Sequence, residues 1–283
     1  MESDKYRMHL MGDLKSIILA TDGSDYSKGA IAEAISFARA CQTRLTVLRV
    51  FEFNPELETE GMKYVEKMEE EAGRHFEAVR DLAAEENVEC DIVVRRSVQP
   101  YESIIDEAKK RKADVIIMGR RGRTGLKLMI MGSQTAKTIA YSPCKVLVVP
   151  KDTEIKGENI MLATDGSKYS IAAESEAINM AASCPFVKHF LAVAVAKNKE
   201  GLHDVEKNLD RVKENAAKRG IAVETLILTG EPYKAIVNAS MESGADLVIM
   251  GSHGRTGLDR LLMGSVAERV VSLAQCSVLI SKV

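Results

Sequence analysis

Two stretches decide how this chain folds: ADVIIMGRRGRTGLKLMIMGS, Ala113–Ser133, and ADLVIMGSHGRTGLDRLLMGS, Ala245–Ser265. Each opens with a short apolar run that stops at a glycine, as a strand buried in a parallel sheet does. Each continues as G-x-x-G, nine residues, then Gly-Ser, where a helix can start again. A strand, a glycine loop and a helix start, occurring twice in one frame, mark a duplicated domain.

Working outward, the duplication extends over nearly the whole chain. KSIILATDGSDYS (Lys15–Ser27) recurs as ENIMLATDGSKYS (Glu158–Ser170), and CKVLVV (Cys144–Val149) recurs as CSVLIS (Cys276–Ser281). Asp22 maps onto Asp165 at an offset of 143, whereas Pro100, Gly119, Gly132 and Cys144 map at 132. The second copy is therefore shorter between the first motif and Pro100. The extra material in the first copy is assigned to Phe51–Lys67, an acidic stretch broken by Pro55 and Gly61 that reads as a surface loop leading into a helix. Domain one is set at 1–150, a charged linker at 151–158, and domain two at 159–283.

Within the first copy, Ser16–Thr21, Leu45–Phe51, Cys90–Arg96, Asp114–Gly119 and Lys145–Pro150 read as strands. Ala30, Ile31, Ala34, Ile35 and Ala38 follow helical spacing, with Ser24 or Asp25 as the cap. A second helix has Val65, Met68, Ala72, Phe76, Val79 and Leu82 on one face; a third covers Tyr101–Arg111 and a fourth Ser133–Tyr141. Strands alternating with helices predict an α/β chain of two tandem open parallel five-stranded sheets, with helices on both faces. Ligands in such sheets sit beyond the carboxyl ends of the strands, where the strand order reverses. Asp22 and Gly119, which follow strands one and four, fall there.

Composition narrows the partners. The chain has 283 residues, and its net charge of -2 gives no basic surplus for a nucleic-acid backbone to attract. No run approaches the length of a membrane span, and MESDKYRMHLMGDLK lacks the apolar centre of a signal peptide, so a cytoplasmic location is expected. The five cysteines form no CxxC pair and read as reduced, buried thiols. His75, His189 and His203 share no metal-ligand spacing.

The glycine loops carry the chemistry. A helix start presents free N–H groups and a positive dipole end, which suit phosphate oxygens. Ser133 or Ser265 adds a hydroxyl, and Arg123 or Arg255 is available for charge-assisted contacts. The alternative is a duplicated tight turn with no ligand. Asp22 and Asp165 could bind Mg²⁺, meet a ribose hydroxyl, or cap the next helix through an Asx-turn. Met118, Met129, Met131, Met250 and Met263 read as packing residues.

Strand-ATDGS, G-x-x-G-x9-G-S and a terminal strand after a cysteine together resemble the universal stress protein family, over nearly the whole chain and twice. The resemblance is to its ATP-binding branch and implies a Rossmann-like fold of the adenine nucleotide alpha hydrolase-like kind. It implies ATP, AMP or ADP as ligand, with Mg²⁺ as a companion ion. It places Asp22 and Asp165 near the ribose and Val50 and Val193 against adenine; Val193 is chosen because it lies 28 residues after Asp165, as Val50 does after Asp22. It places Gly119, Gly122, Gly132 and Ser133, and Gly251, Gly254, Gly264 and Ser265, around the phosphates. Ala20, Thr21, Met118, Arg121 and Gln134, with Ala163, Thr164, Met250, His253 and Val266, complete the expected sites.

The first copy departs from the second in two places. Arg120-Arg121 replaces Ser252-His253, either to bind phosphate more tightly or to fill an empty pocket. Val98 stands where the second copy has Gly230, and is expected to alter the pocket wall. On these grounds the second site is the firmer one.

The expected function is a nucleotide-binding stress-response regulator whose occupancy changes its conformation or partner binding. No nucleophile–base pair or Walker-type GK[ST] appears, and His253 has no evident carboxylate to orient it. The alternatives are a slow ATPase or nucleotidyl-transfer enzyme, and a structural interaction module without nucleotide. In the resembling family the terminal strands pair antiparallel between domains. The resemblance thus implies an intramolecular pseudo-dimer here, with a further homodimer of chains left open.

Overall fold

The computed structural model describes residues 10–52, 62–122, 131–196, 198–254 and 263–283. The first half runs β1 (Ile17–Ala20), α1 (Lys28–Ala40), β2 (Leu45–Glu52), α2 (Met62–Glu85), β3 (Cys90–Ser97), α3 (Pro100–Arg111), β4 (Val115–Gly119), α4 (Ser133–Tyr141) and β5 (Lys145–Val149). The second half repeats it as β6 (Asn159–Ala163), α5 (Lys168–Ser183), β7 (His189–Ala196), α6 (Leu202–Ala217), β8 (Glu224–Thr229), α7 (Pro232–Glu242), β9 (Leu247–Gly251), α8 (Ser265–Leu273) and β10 (Ser277–Ser281).

Each half is a five-stranded parallel sheet, and the two are joined. The strand order is β3-β2-β1-β4-β5-β10-β9-β6-β7-β8, with β5 and β10 antiparallel. Val146 faces Ile280, Leu147 faces Leu279 and Val148 faces Val278. The two central edges are thereby paired inside one chain, which removes the hazard of an open apolar edge. The built-in pseudo-dimer expected from the terminal strands is present.

Two apolar cores cover the faces, and each is continuous across this seam. One lies under α1, α2, α5 and α6 and includes Leu147 and Leu279. The other lies under α3, α4, α7 and α8 and includes Val146, Val148, Val278 and Ile280. The central strands β1, β4, β9 and β10 are buried throughout, which is why they read as unbroken apolar runs rather than alternating ones.

Polar contacts bolt the halves together as well. Arg120 Nη1 donates to the carbonyl of Ala274 at 2.6 Å, just past the end of α8. Lys282 Nζ donates to the carbonyls of Ile139 and Ala140 near the end of α4. Burial pushes the Lys282 amine down to about 8, and the carbonyls at the negative end of α4 offset that cost. The stretch between the halves is docked rather than a free tether: Ile155 is buried, and its N–H donates to Glu33 Oε1 at 2.8 Å.

Several local expectations are corrected. Asp25–Ser27 forms a short 3-10 turn, so α1 begins at Lys28, with Ser27 rather than Ser24 or Asp25 at its cap. On α2, Ala72, Phe76 and Val79 are buried, but Leu82 is half exposed and Ala83 takes its inward place. The side chains of Val65 and Met68 lie outside those described, as do Pro55, Gly61, Arg123, Met129 and Arg255. No helix among the described residues is long and apolar enough to cross a membrane.

Candidate functional site

In the first half the strand order 3-2-1-4-5 reverses beside β1, and a cleft of about 310 Å³ opens there beyond the strand ends. Eleven of the first-half residues expected at the site line it: Ala20, Thr21, Asp22, Val50, Met118, Gly119, Arg121, Gly122, Gly132, Ser133 and Gln134. The floor is apolar, from Leu48, Val50, Ile104 and Met118. The rim is polar, with Asp22, Glu52, Arg121 and the start of α4.

The ATDGS turn is built by its own side chains. Thr21 N donates to the Leu48 carbonyl, which continues the sheet ladder for one more step. Gly23 then turns with φ +74°, a conformation that glycine adopts without strain. Asp22 Oδ1 accepts from Ser24 N at 3.0 Å and from Ser27 Oγ at 3.1 Å. The Asx-turn weighed from the sequence is therefore real, and the other carboxylate oxygen faces the loop.

The motif glycines of the two loops serve closeness, not positive φ, which none of Gly119, Gly122, Gly132, Gly251, Gly254 and Gly264 adopts. A Cβ on Gly119 would lie 2.7 Å from the Tyr26 carbonyl oxygen, and one on Gly251 2.6 Å from the Tyr169 carbonyl carbon. These two admit the neighbouring turn. A Cβ on Gly122 would lie 2.7 Å from Asp22 Oδ2, and one on Gly254 the same distance from Asp165 Oδ2. These hold loop and carboxylate together. Gly132 and Gly264 cap α4 and α8 with no side-chain bond to the first-turn N–H groups, leaving those donors to a ligand or solvent.

The two arginines of the first loop part company. Arg121 lines the cleft, while Arg120 reaches into the other half. Of the pair, Arg121 alone is placed to meet a phosphate in the cleft. Gln134 also braces the fold, because its Oε1 accepts from Tyr101 N at 3.0 Å and joins the start of α4 to the start of α3. Val98 is exposed, and it is Pro100 that lines the cleft. The matching Gly230 has φ +100°, which Val98 does not share, so the substitution changes the turn and not the pocket wall.

In the second half the same frame returns. Thr164 N donates to the Val193 carbonyl, Asp165 Oδ1 accepts from Ser167 N, and Gly264 N donates to the Ser252 carbonyl. Val193 pairs with Ala163, as Leu48 pairs with Ala20. Val193 is thus the counterpart of Leu48 and is fully buried, and the counterpart of Val50 is Val195. Counting from Asp165 misses because Leu48 follows Ala20 by 28 residues but Val193 follows Ala163 by 30. His253 Nδ1 lies 3.0 Å from Ser252 Oγ, and its ring packs 4.9 Å from Tyr169. Ala163 and Met250 are buried, Val266 packs against the core, and Ser265 is exposed at the start of α8.

Sequence reading passed over Ser27, Arg49, Glu52 and Thr135, all of which line the first cleft. Thr135 Oγ1 donates to the Gly119 carbonyl at 3.1 Å and braces the loop. Arg49 is 2% exposed, with its guanidinium over the Phe51 ring. Its signal was visible, since a charge interrupts the apolar run LTVLRVF. Among the described residues no cluster of His, Cys, Asp and Glu could hold a metal ion.

Known proteins agree with this architecture. The sequence model of the universal stress protein family matches twice, over residues 14–150 and 157–282. A universal stress protein of Methanocaldococcus jannaschii is 36% identical over 144 residues, covering 44% of this chain and 85% of its own length. One from Synechocystis is 25% identical and covers 94% of this chain and 99% of its own. The crystal structure of a universal stress protein from Archaeoglobus fulgidus superposes with a TM-score of 0.76 at 21% identity, over 94% of this chain and 98% of that one. Two matched domains, a shared fold and a full-length relative lead to one statement: the chain belongs to the universal stress protein family, in its tandem form.

Proposed function

We propose that this chain is an ATP-binding regulatory protein, in which nucleotide occupancy sets the conformation of the glycine loops and thereby partner binding. The observation that carries this reading is the first cleft. It gathers eleven of the residues picked for that half and combines an apolar floor with a helix start and two arginines, Arg121 and the buried Arg49. Adenine would lie against Val50, the ribose beside Asp22, and the phosphates at Gly122, Gly132, Ser133 and Arg121. The second site would use Val195, Asp165, His253, Gly254, Gly264 and Ser265. Mg²⁺, if it accompanies the nucleotide, would come with the phosphates.

Isothermal titration of the full chain with ATP tests this reading. Heat that saturates at one or two equivalents supports it, and no heat with no thermal shift at millimolar ATP overturns it. Phosphate release above background in the same samples would move the reading to a slow ATPase. The reading as a structural module loses its free terminal edges, because β5 and β10 are already paired with each other.

A further inference from the structure

We propose that Arg120 is a positioning residue that couples the two nucleotide sites, by tying the first glycine loop to the helix on which the second site is built. The inference rests on the nucleotide reading above.

Arg120 lies between Gly119 and Gly122, inside the first loop. Its backbone carbonyl accepts from Gly132 N at 2.9 Å and closes the base of that loop. Its side chain leaves the cleft and donates to Ala274, at the carboxyl end of α8. The other end of the loop makes a second contact there, where Met131 N donates to Ser272 Oγ at 3.3 Å. The amino end of α8 is Gly264-Ser265, the phosphate-facing end of the second site. A nine-residue helix spans about 13 Å and moves as a rigid piece. Whatever fixes the first loop therefore fixes α8, and with it the donors of the second site.

The reverse connection is built differently. The carboxyl end of α4, whose amino end faces the first site, is held by Lys282 from the second half. Lys282 lies beyond β10 and not in a ligand loop. At the position of Arg120 the second loop has Ser252, which bonds to its neighbour His253. Among the described residues, the direct ties from a ligand loop to the opposite phosphate helix thus run from the first loop to α8, with Arg120 as the side chain that reaches across. Linkage makes its effect on affinity reciprocal whichever site fills first. The sign is positive, because ordering the loop for the first ligand orders α8 in advance for the second.

The test is ATP titration of the full chain in four forms: unaltered, Gly254→Val to empty the second site, Arg120→Ser, and the double variant. Filling the second site should tighten the first by about fivefold or more, the usual lower end of such couplings. Arg120→Ser should bring that ratio to within about twofold of unity while both sites still fill. Arg120→Lys, which keeps a cation at Ala274, should restore part of it. An unchanged ratio in Arg120→Ser, or no coupling in the unaltered chain, overturns the proposal. If ATP does not bind at all, the functional reading fails instead, and hydrogen exchange on the ligand-free chain decides this one. Arg120→Ser should then speed exchange through the whole of α8, including its amino end, whereas a change confined to the first loop overturns the tie.

Discussion

The two halves share one frame but brace their ATDGS turns from different places. In the first, Thr21 Oγ1 meets His75 Nε2 at 3.1 Å, so the turn leans on α2. Arg49 comes close under Gly23, where a Cβ would lie 2.9 Å from its Nη1. In the second, Thr164 Oγ1 donates to Ser170 Oγ of its own following helix. Below Gly166 lies Asn208, held by Arg211, which also pairs with the buried Glu174. A duplicated motif thus keeps its backbone while its supports diverge. Differences in ligand affinity between the sites should therefore be sought beneath the turns as much as in the loops.

The largest expected effect tests whether the halves are separable at all. Leu279 is fully buried in the seam opposite Leu147. Leu279→Ala should cost about 2–5 kcal/mol, the usual range for a buried leucine that leaves a cavity. Urea unfolding should shift as one transition in both halves. A transition that splits, with one half unaffected, would show that the continuous cores do not make one cooperative unit.

The matched cysteines offer the next comparison. Burial pushes the Cys276 thiol up to about 11 from 9.0, while Cys144, only partly buried, is also raised. In the unfolded chain a thiol ionises first, so the unfolded state binds fewer protons above pH 9 and stability falls from there towards pH 11. At about 1 kcal/mol or a little more per unit, Cys276 alone contributes a loss of roughly 2–3 kcal/mol across that window. Cys276→Ala should flatten this alkaline loss in urea melts at about pH 8.5 and about pH 10.5. An equally steep loss in the variant would place its source elsewhere.

Gly122→Ala and Gly254→Ala probe the two loops at one geometry. Each new Cβ would press on the aspartate of its own site, and Asp22 and Asp165 have their other oxygen held by the turn. Each variant should weaken ATP at its own site about tenfold, or about 1.4 kcal/mol, with little change in melting temperature. Equal weakening of both sites by either change would mean that the loops respond as a pair.

How much of this was legible in the sequence follows from what repeats. The strands and the glycine loops were readable because buried parallel strands and ATDGS turns leave local patterns, and the family resemblance laid over those motifs supplied the remaining residues among the eleven that line the first cleft. The pairing of β5 with β10 came from resemblance, since a strand's partner is a long-range fact that its own residues do not encode. Val193 was misplaced because counting assumes equal connections, and the second half has two more residues before β7 reaches the same register. The destination of Arg120 was hidden for the same reason: sequence shows a cation beside a phosphate loop, and only packing shows a helix end within its reach.

The smallest effect sharpens the opening comparison most directly. Thr21→Val removes the partner of His75 and the acceptor of Gly23 N, at a cost of about 1 kcal/mol. His75→Ala removes the same contact from the other side. If the turn leans on α2 through this bond, the two changes are not additive, and a double-mutant cycle should give an interaction energy of about 0.5 kcal/mol or more. In the second half Thr164 turns instead to Ser170, in the first turn of its own α5, so Thr164→Val and Ser170→Ala should couple while α6 is untouched. Hydrogen exchange separates the two outcomes: Thr21→Val should loosen α2, and Thr164→Val should leave α6 as it was. Equal loosening of α2 and α6 would mean that the supports differ in residue type but not in mechanical role.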